Sequence, residues 1–268
     1  MGKEIISQKN IVDIVTEAMK QCREYEEERA SFLAQGLSSI TGPLGSAVSS
    51  VVPGDWLRSS VELADDAAAL SLPSEQFSHD FMDLPACEDA ATSVGYWASG
   101  QNAVSGGFAG WFGLAGMAAD VPTTITLAAR NVRATAAAYG FDEDSEYEKA
   151  FRLMVLDLAT SMAEESREES LEKVNQLSRM LTSPKARILW DGAGRWVADT
   201  VFERVARQMG ANLIGRKAAQ VVPIVGGVVA AAVNASFQND VNRAARYAYR
   251  LRWLMQQNLI AAPLNEGE

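Results

Sequence analysis

A chain of 268 residues with 48% hydrophobic content can bury a large core, which excludes wholesale disorder. Its net charge of −10 argues against nucleic acid as a partner, because neutralising phosphate needs a basic surface. Two distant cysteines, Cys22 and Cys87, exclude a disulfide framework and a thiolate metal centre.

Alanine is abundant, proline is limited to 8, and period-two runs of β-branched residues are scarce, so the expected class is all-α. Residues 3–35 read as a long amphipathic helix with Ile5, Ile11, Val12, Ile14, Val15, Met19 and Cys22 at mixed three- and four-residue steps. No secretory h-region is present, and Ile6 stands where a myristoylation signal wants Ser or Thr, so the expected compartment is the cytoplasm, with peripheral membrane attachment as an option. Residues 36–54 are rich in small residues and read as a short apolar helix between two turns. Pro53-Gly54-Asp55 then starts a helix, with Asp55 able to cap, that runs to about Ser71. Residues 73–85 read as a linker holding the lone histidine, His79, and divide an N-terminal helical extension (1–85) from a main domain (86–268).

The main domain opens on an uncharged run from Ala90 to Ala119 with seven glycines between Gly95 and Gly116. Its expected elements are a helix from Cys87 to about Gln101, a glycine-rich helix from Ala103 to Met117, and a third from Val121 to Tyr139 stopped by a left-handed Gly140. Asp120, before Val121-Pro122, reads either as the N-cap of that third helix or as a buried functional acid. Ser145 and Glu148 have capping-box spacing for a helix to Thr160, and a charged helix follows from Glu164 to Leu181. After Pro184 a helix is expected from Trp190 to Met209. A second uncharged run, Ala218 to Asn239, is interrupted by Pro223 and Gly226-Gly227, which predicts two half-helices or a kink. The last helix, Asp240 to about Leu259, sets Arg243, Arg246, Arg250 and Arg252 opposite Ala245, Tyr249 and Trp253.

Both uncharged runs have the length of a membrane span. Their glycines, polar residues and breaks favour helices buried in a bundle over spans, with release and insertion into a bilayer as a conditional alternative in which Trp111 and Phe112 anchor at the interface. The segment Lys173–Arg252 carries 13 basic and 4 acidic residues. Such a belt either meets an anionic membrane or an acidic partner through Arg243, Arg246 and Arg250, or pairs with the acidic N-terminal half of its own chain.

Motifs for chemistry are weak. Gly210-x4-Gly215-Arg216-Lys217 imitates a phosphate loop with one residue inserted and no following hydroxyl, although Arg216 and Lys217 suit a lipid phosphate at a helix start. Asp142-x-Asp144-x-Glu146 begins like a calcium loop and then departs from it at Tyr147 and Leu153. His79 has no serine elbow to serve and reads as a surface residue. No catalytic residue, cofactor or metal is therefore expected.

Gly95-x4-Gly100, the Gly106–Gly116 cluster, Leu114-x5-Asp120-Val121-Pro122, Tyr139-Gly140-Phe141-Asp142 and Lys217-x5-Pro223-x2-Gly226 through Asn234 together resemble the EcsC family over roughly residues 86–257. The resemblance implies a mostly bacterial α-helical domain with no established reaction, and it makes Asp120 a motif acid without assigning its role. The expected function is non-enzymatic: work at a membrane surface or on a membrane-protein partner. A module enclosing an apolar or lipid-like ligand is the alternative, and an enzyme of unrecognised type the third reading.

Overall fold

A computed structural model describes residues 2–28, 54–72, 77–111, 113–161, 164–183 and 226–260. Seven helices and no strand occur among them: α1 (Gly2–Glu27), α2 (Gly54–Ser71), α3 (Leu84–Trp111), α4 (Gly113–Ala138), α5 (Glu146–Thr160), α6 (Glu164–Thr182) and α7 (Gly226–Gln256). The all-α expectation holds. The segments 29–53 and 184–225, with the expected helix from Trp190 and the Gly210–Lys217 motif, lie outside the described residues, as does Phe112.

Helix α7 is the axis. It packs against α1, α3, α4, α5 and α6, while α2 lies on α4. Every residue from Tyr247 to Met255 is buried, and so is every residue of α5 from Ala150 to Thr160. Helices buried all round have no solvent face on which to leave charge. Arg250 and Arg252 on α7, and Arg152 and Asp157 on α5, therefore need partners inside the protein.

Two helix ends follow the sequence reading. Gly140 stands at φ 80°, Phe141 N–H donates to Ala136 O at 2.9 Å and Gly140 N–H to Ala137 O at 3.0 Å, which closes α4 in a left-handed Schellman turn. Ser145 caps α5, its Oγ accepting from Glu148 N–H at 3.4 Å. The reciprocal arm of the capping box is not made, because the Glu148 carboxylate turns into the core toward Arg252.

Three expected breaks are absent. α3 runs unbroken past Gln101 to Trp111, since glycines cost only about 1 kcal/mol each and its one proline, Pro85, sits in the first turn. α4 passes through Asp120 and Pro122, so Asp120 is not an N-cap but lies inside a helix. Pro122 there forgoes one backbone bond to the carbonyl of residue 118, and α4 packs on α2, α3 and α7 strongly enough to sustain that loss. α7 likewise continues through Asn239-Asp240, where only modest propensity costs oppose it.

The loop before α3 is pinned at three points. His79 Nε2 lies 2.9 Å from Ala138 O, Trp253 Nε1–H donates to Phe81 O at 2.8 Å, and the Phe81 ring covers Gly140. His79 thus satisfies one of the orphan carbonyls at the end of α4, a structural duty for the lone histidine.

Where α3 crosses α7, Asn242 Nδ2 lies 3.1 Å from Ala91 O, 3.2 Å from Thr135 Oγ1 and 3.3 Å from Asn131 Oδ1. Asn131 donates in turn to Gln238 Oε1 at 3.1 Å, and Gln238 to Thr124 O at 3.3 Å. This buried amide network needs Gly95, because any Cβ there would overlap the Asn242 amide. Gly100, one turn on, has open space around its Cβ position. Gly95→Ala is expected to lower stability by about 1–3 kcal/mol through overpacking, whereas Gly100→Ala raises it by about 0.5–1 kcal/mol. Urea midpoints of the two variants check this. Equal shifts would remove the steric account of Gly95.

Candidate functional site

The basic face of α7 meets acids of the same chain. Arg250 donates through Nε and Nη2 to Glu88 of α3 at 2.5 and 2.7 Å, and Arg246 Nη2 reaches the same carboxylate at 2.8 Å. Tyr139, just beyond the end of α4, donates its hydroxyl to Glu88 at 2.6 Å. Burial opposes the ionised form of Glu88, but the hydrogen bonds and charge of Arg250, with help from Tyr139 and Arg246, outweigh it and hold the carboxyl below its ordinary range. Arg243 pairs with Glu28 just beyond α1. Arg252, fully buried, forms a two-pronged pair with Glu148, and its guanidinium lies 4.2 Å from the Phe141 ring centre. Two further arginines share Asp65 of α2: Arg152 at 2.7 Å through both prongs and Arg133 at 3.4 Å.

A small cavity of about 140 Å³ between α1 and α7 is bordered by Arg243, Arg246, Arg250, Tyr25 and Tyr247. Its arginines are the ones already paired, so its charge is balanced. Cys22 and Cys87 are buried free thiols, each pushed up to about 11 by burial, which leaves them protonated and unreactive at neutral pH. No cluster suited to a metal ion occurs among the described residues.

A second cavity differs in kind. It measures about 330 Å³, opens to solvent and is lined by Leu72 and Phe77 from the α2–α3 connection, Ser93, Val94 and Trp97 of α3, and Arg130, Asn131 and Ala134 of α4. Each helix contributes the same i, i+1, i+4 spacing, which brings one face of α3 and one of α4 to the cavity wall. The volume falls in the ~300–1,000 Å³ range of small-molecule sites. Asn131 is engaged in the amide network, so its amide serves as a fixed wall. Arg130 is not so engaged. Its guanidinium carbon stands 4.2 Å over the Trp97 ring centre, and its buried Nε has no hydrogen-bond partner. Burial draws its pKa below the ordinary arginine value, with no carboxylate among the described residues to offset it. An apolar wall with one uncommitted cation suits an amphiphile better than it suits a reaction.

None of the residues singled out in the sequence is among the described residues that line this cavity. Arg243, Arg246 and Arg250 lie on the α1/α3 side of α7 in ion pairs. Trp111 is the last residue of α3 and Asp120 lies within α4. Phe112, Arg216 and Lys217 lie outside the described residues. Sequence reasoning missed Arg130 and Trp97 as a pair. One signal was there: Arg130 is the first basic residue after Arg58, at the end of a nearly uncharged stretch.

Among the described residues no helix is long and apolar enough to cross a membrane. The EcsC protein family model matches residues 16–254. A relative in Bacillus subtilis (strain 168), "Uncharacterized protein YdbA", is 24% identical over 184 residues, which cover 65% of this chain and 60% of that protein. The chain thus spans about three-fifths of the length of the curated relative it matches. No solved structure matches.

Proposed function

The chain belongs to the EcsC protein family, and we propose that it is a helical binding protein, without a reaction of its own, that encloses the apolar part of a lipid-like molecule between α3 and α4. The observation that carries this reading is the cavity walled by Leu72, Phe77, Val94, Trp97 and Ala134. Apolar lining of this kind gains by exchanging water for hydrocarbon, at about 25 cal/mol per Å² buried. The buried charges on α5 and α7 are committed to folding, so they offer little to a substrate.

A fluorescent apolar probe without charge, 1-aminoanthracene, tests the reading. One equivalent should bind the wild-type chain with enhanced emission. Filling the cavity by Ala134→Phe should abolish that binding, with the helical circular dichroism retained. Ser93→Trp, at an exposed lining position, serves as a second block should the first variant fold poorly. Probe binding that ignores both changes, or no binding to the wild type, overturns the proposal.

A second reading, attachment to a membrane surface or a membrane-protein partner, draws support from exposed Leu70, Met82, Tyr96 and Trp97. The arginines of α7 lend it less than the sequence suggested, since acids of the same chain already face them. Salt-resistant co-flotation with neutral vesicles would favour this attachment; flotation only with anionic vesicles at low salt would point to basic residues other than these.

A further inference from the structure

We infer that the cavity between α3 and α4 selects a single-chain amphiphile bearing one anionic head group, with Arg130 receiving the head and the apolar wall receiving the chain. The inference rests on the pocket reading above and adds the chemical class of the ligand.

Arg130 differs from the six arginines of the ion pairs described above. Arg133, Arg152, Arg243, Arg246, Arg250 and Arg252 each face at least one carboxylate. No carboxylate among the described residues reaches Arg130. Its contact is the face of Trp97, and its Nε–H is withdrawn from water with nothing to donate to. An arriving anion forms a charge-assisted bond to a guanidinium that no carboxylate among the described residues neutralises. Trp97 lines the cavity alongside Arg130, and its ring face attracts the guanidinium, which positions the donor before a ligand arrives.

The rest of the wall narrows the class. Leu72, Phe77, Val94 and Ala134 supply hydrocarbon, Ser93 and Asn131 supply no charge, and no acidic residue is among the described residues that line the space. One cation among the described lining residues favours one negative charge over two, and disfavours a cationic amphiphile. At about 330 Å³ the cavity lies at the small end of ligand sites, which suits one chain rather than a two-chain lipid. The head is a carboxylate or a phosphate diester, each with a single negative charge. Either a free amphiphile or a lipid still lodged in a bilayer presents it.

Isothermal titration with dodecanoate and with dodecanol, both kept as monomers, tests the assignment. The wild-type chain should prefer dodecanoate by about tenfold or more, the range of one charge-assisted hydrogen bond. Arg130→Gln should bring that preference close to one, and Arg130→Lys should keep most of it. A preference that survives Arg130→Gln overturns the assignment. So does equal binding of the two ligands by the wild type, although the pocket itself would then stand. Failure of both ligands to bind brings down the pocket reading as well. Vesicles of phosphatidylglycerol separate the sources. Flotation that depends on Arg130 assigns the head to a bilayer lipid, and dodecanoate binding without flotation assigns it to a free amphiphile.

Discussion

Glu148→Ala should be among the most damaging single substitutions in this chain, lowering stability by about 3–5 kcal/mol. The carboxylate it removes is the ionic partner of Arg252, whose side chain has no exposure to solvent at all. Left alone between Phe141 and Phe151, the guanidinium would hold its charge in a site that excludes water. Native domains have only about 5–15 kcal/mol to lose, so the variant should be barely folded at ambient temperature. The pair is not thereby a large net stabiliser, because desolvating both charges offsets most of their attraction. A double replacement, Glu148→Leu with Arg252→Met, should accordingly recover most of the loss. Guanidinium unfolding of the single and double variants measures both effects. A single variant within about 1 kcal/mol of wild type would mean that the pair is open to water.

Glu88→Gln should cost about 2–3 kcal/mol at neutral pH, since two arginines and a tyrosine converge on that carboxylate. The loss should also depend on pH in a defined direction. Burial works against the charged form, Arg250 and its companions outweigh burial, and the folded carboxyl titrates below its unfolded value. A depressed carboxyl contributes stability in full above the unfolded value, near pH 4.3, and loses it as pH falls toward the folded value. The gap between wild type and Glu88→Gln should thus be constant from about pH 6 to 8 and shrink below about pH 4.3. Thermal unfolding across that range reads it. A gap that widens on acidification would contradict the ion-pair assignment.

The sequence was most informative where local chemistry decides the structure. Gly140 and Ser145 act within one turn of themselves, and both stand where their types predicted. Breaks were read less well, because Pro122 and Asn239-Asp240 are overridden by packing that only the assembled helices supply. The basic stripe on α7 illustrates the same limit. Arg243, Arg246 and Arg250 at three- and four-residue steps look like a face for an outside partner, yet their acids arrive from Glu28 and Glu88, more than 150 positions away. Glu148 is doubly instructive. Its backbone plays the capping role that its spacing promised, while its side chain serves Arg252, a contact 104 residues distant. The cavity was illegible for a similar reason: Trp97 and Arg130 meet only once α3 and α4 are in register.

Native mass spectrometry of chain purified without detergent addresses the pocket most directly. The spectrum should show a fraction carrying one adduct of single-chain-lipid mass, and Ala134→Phe should be free of it. Added dodecanoate should bring the remaining wild-type protein to one-to-one occupancy. Bare protein that takes up no dodecanoate, or an adduct that Ala134→Phe retains, would contradict a ligand held between α3 and α4.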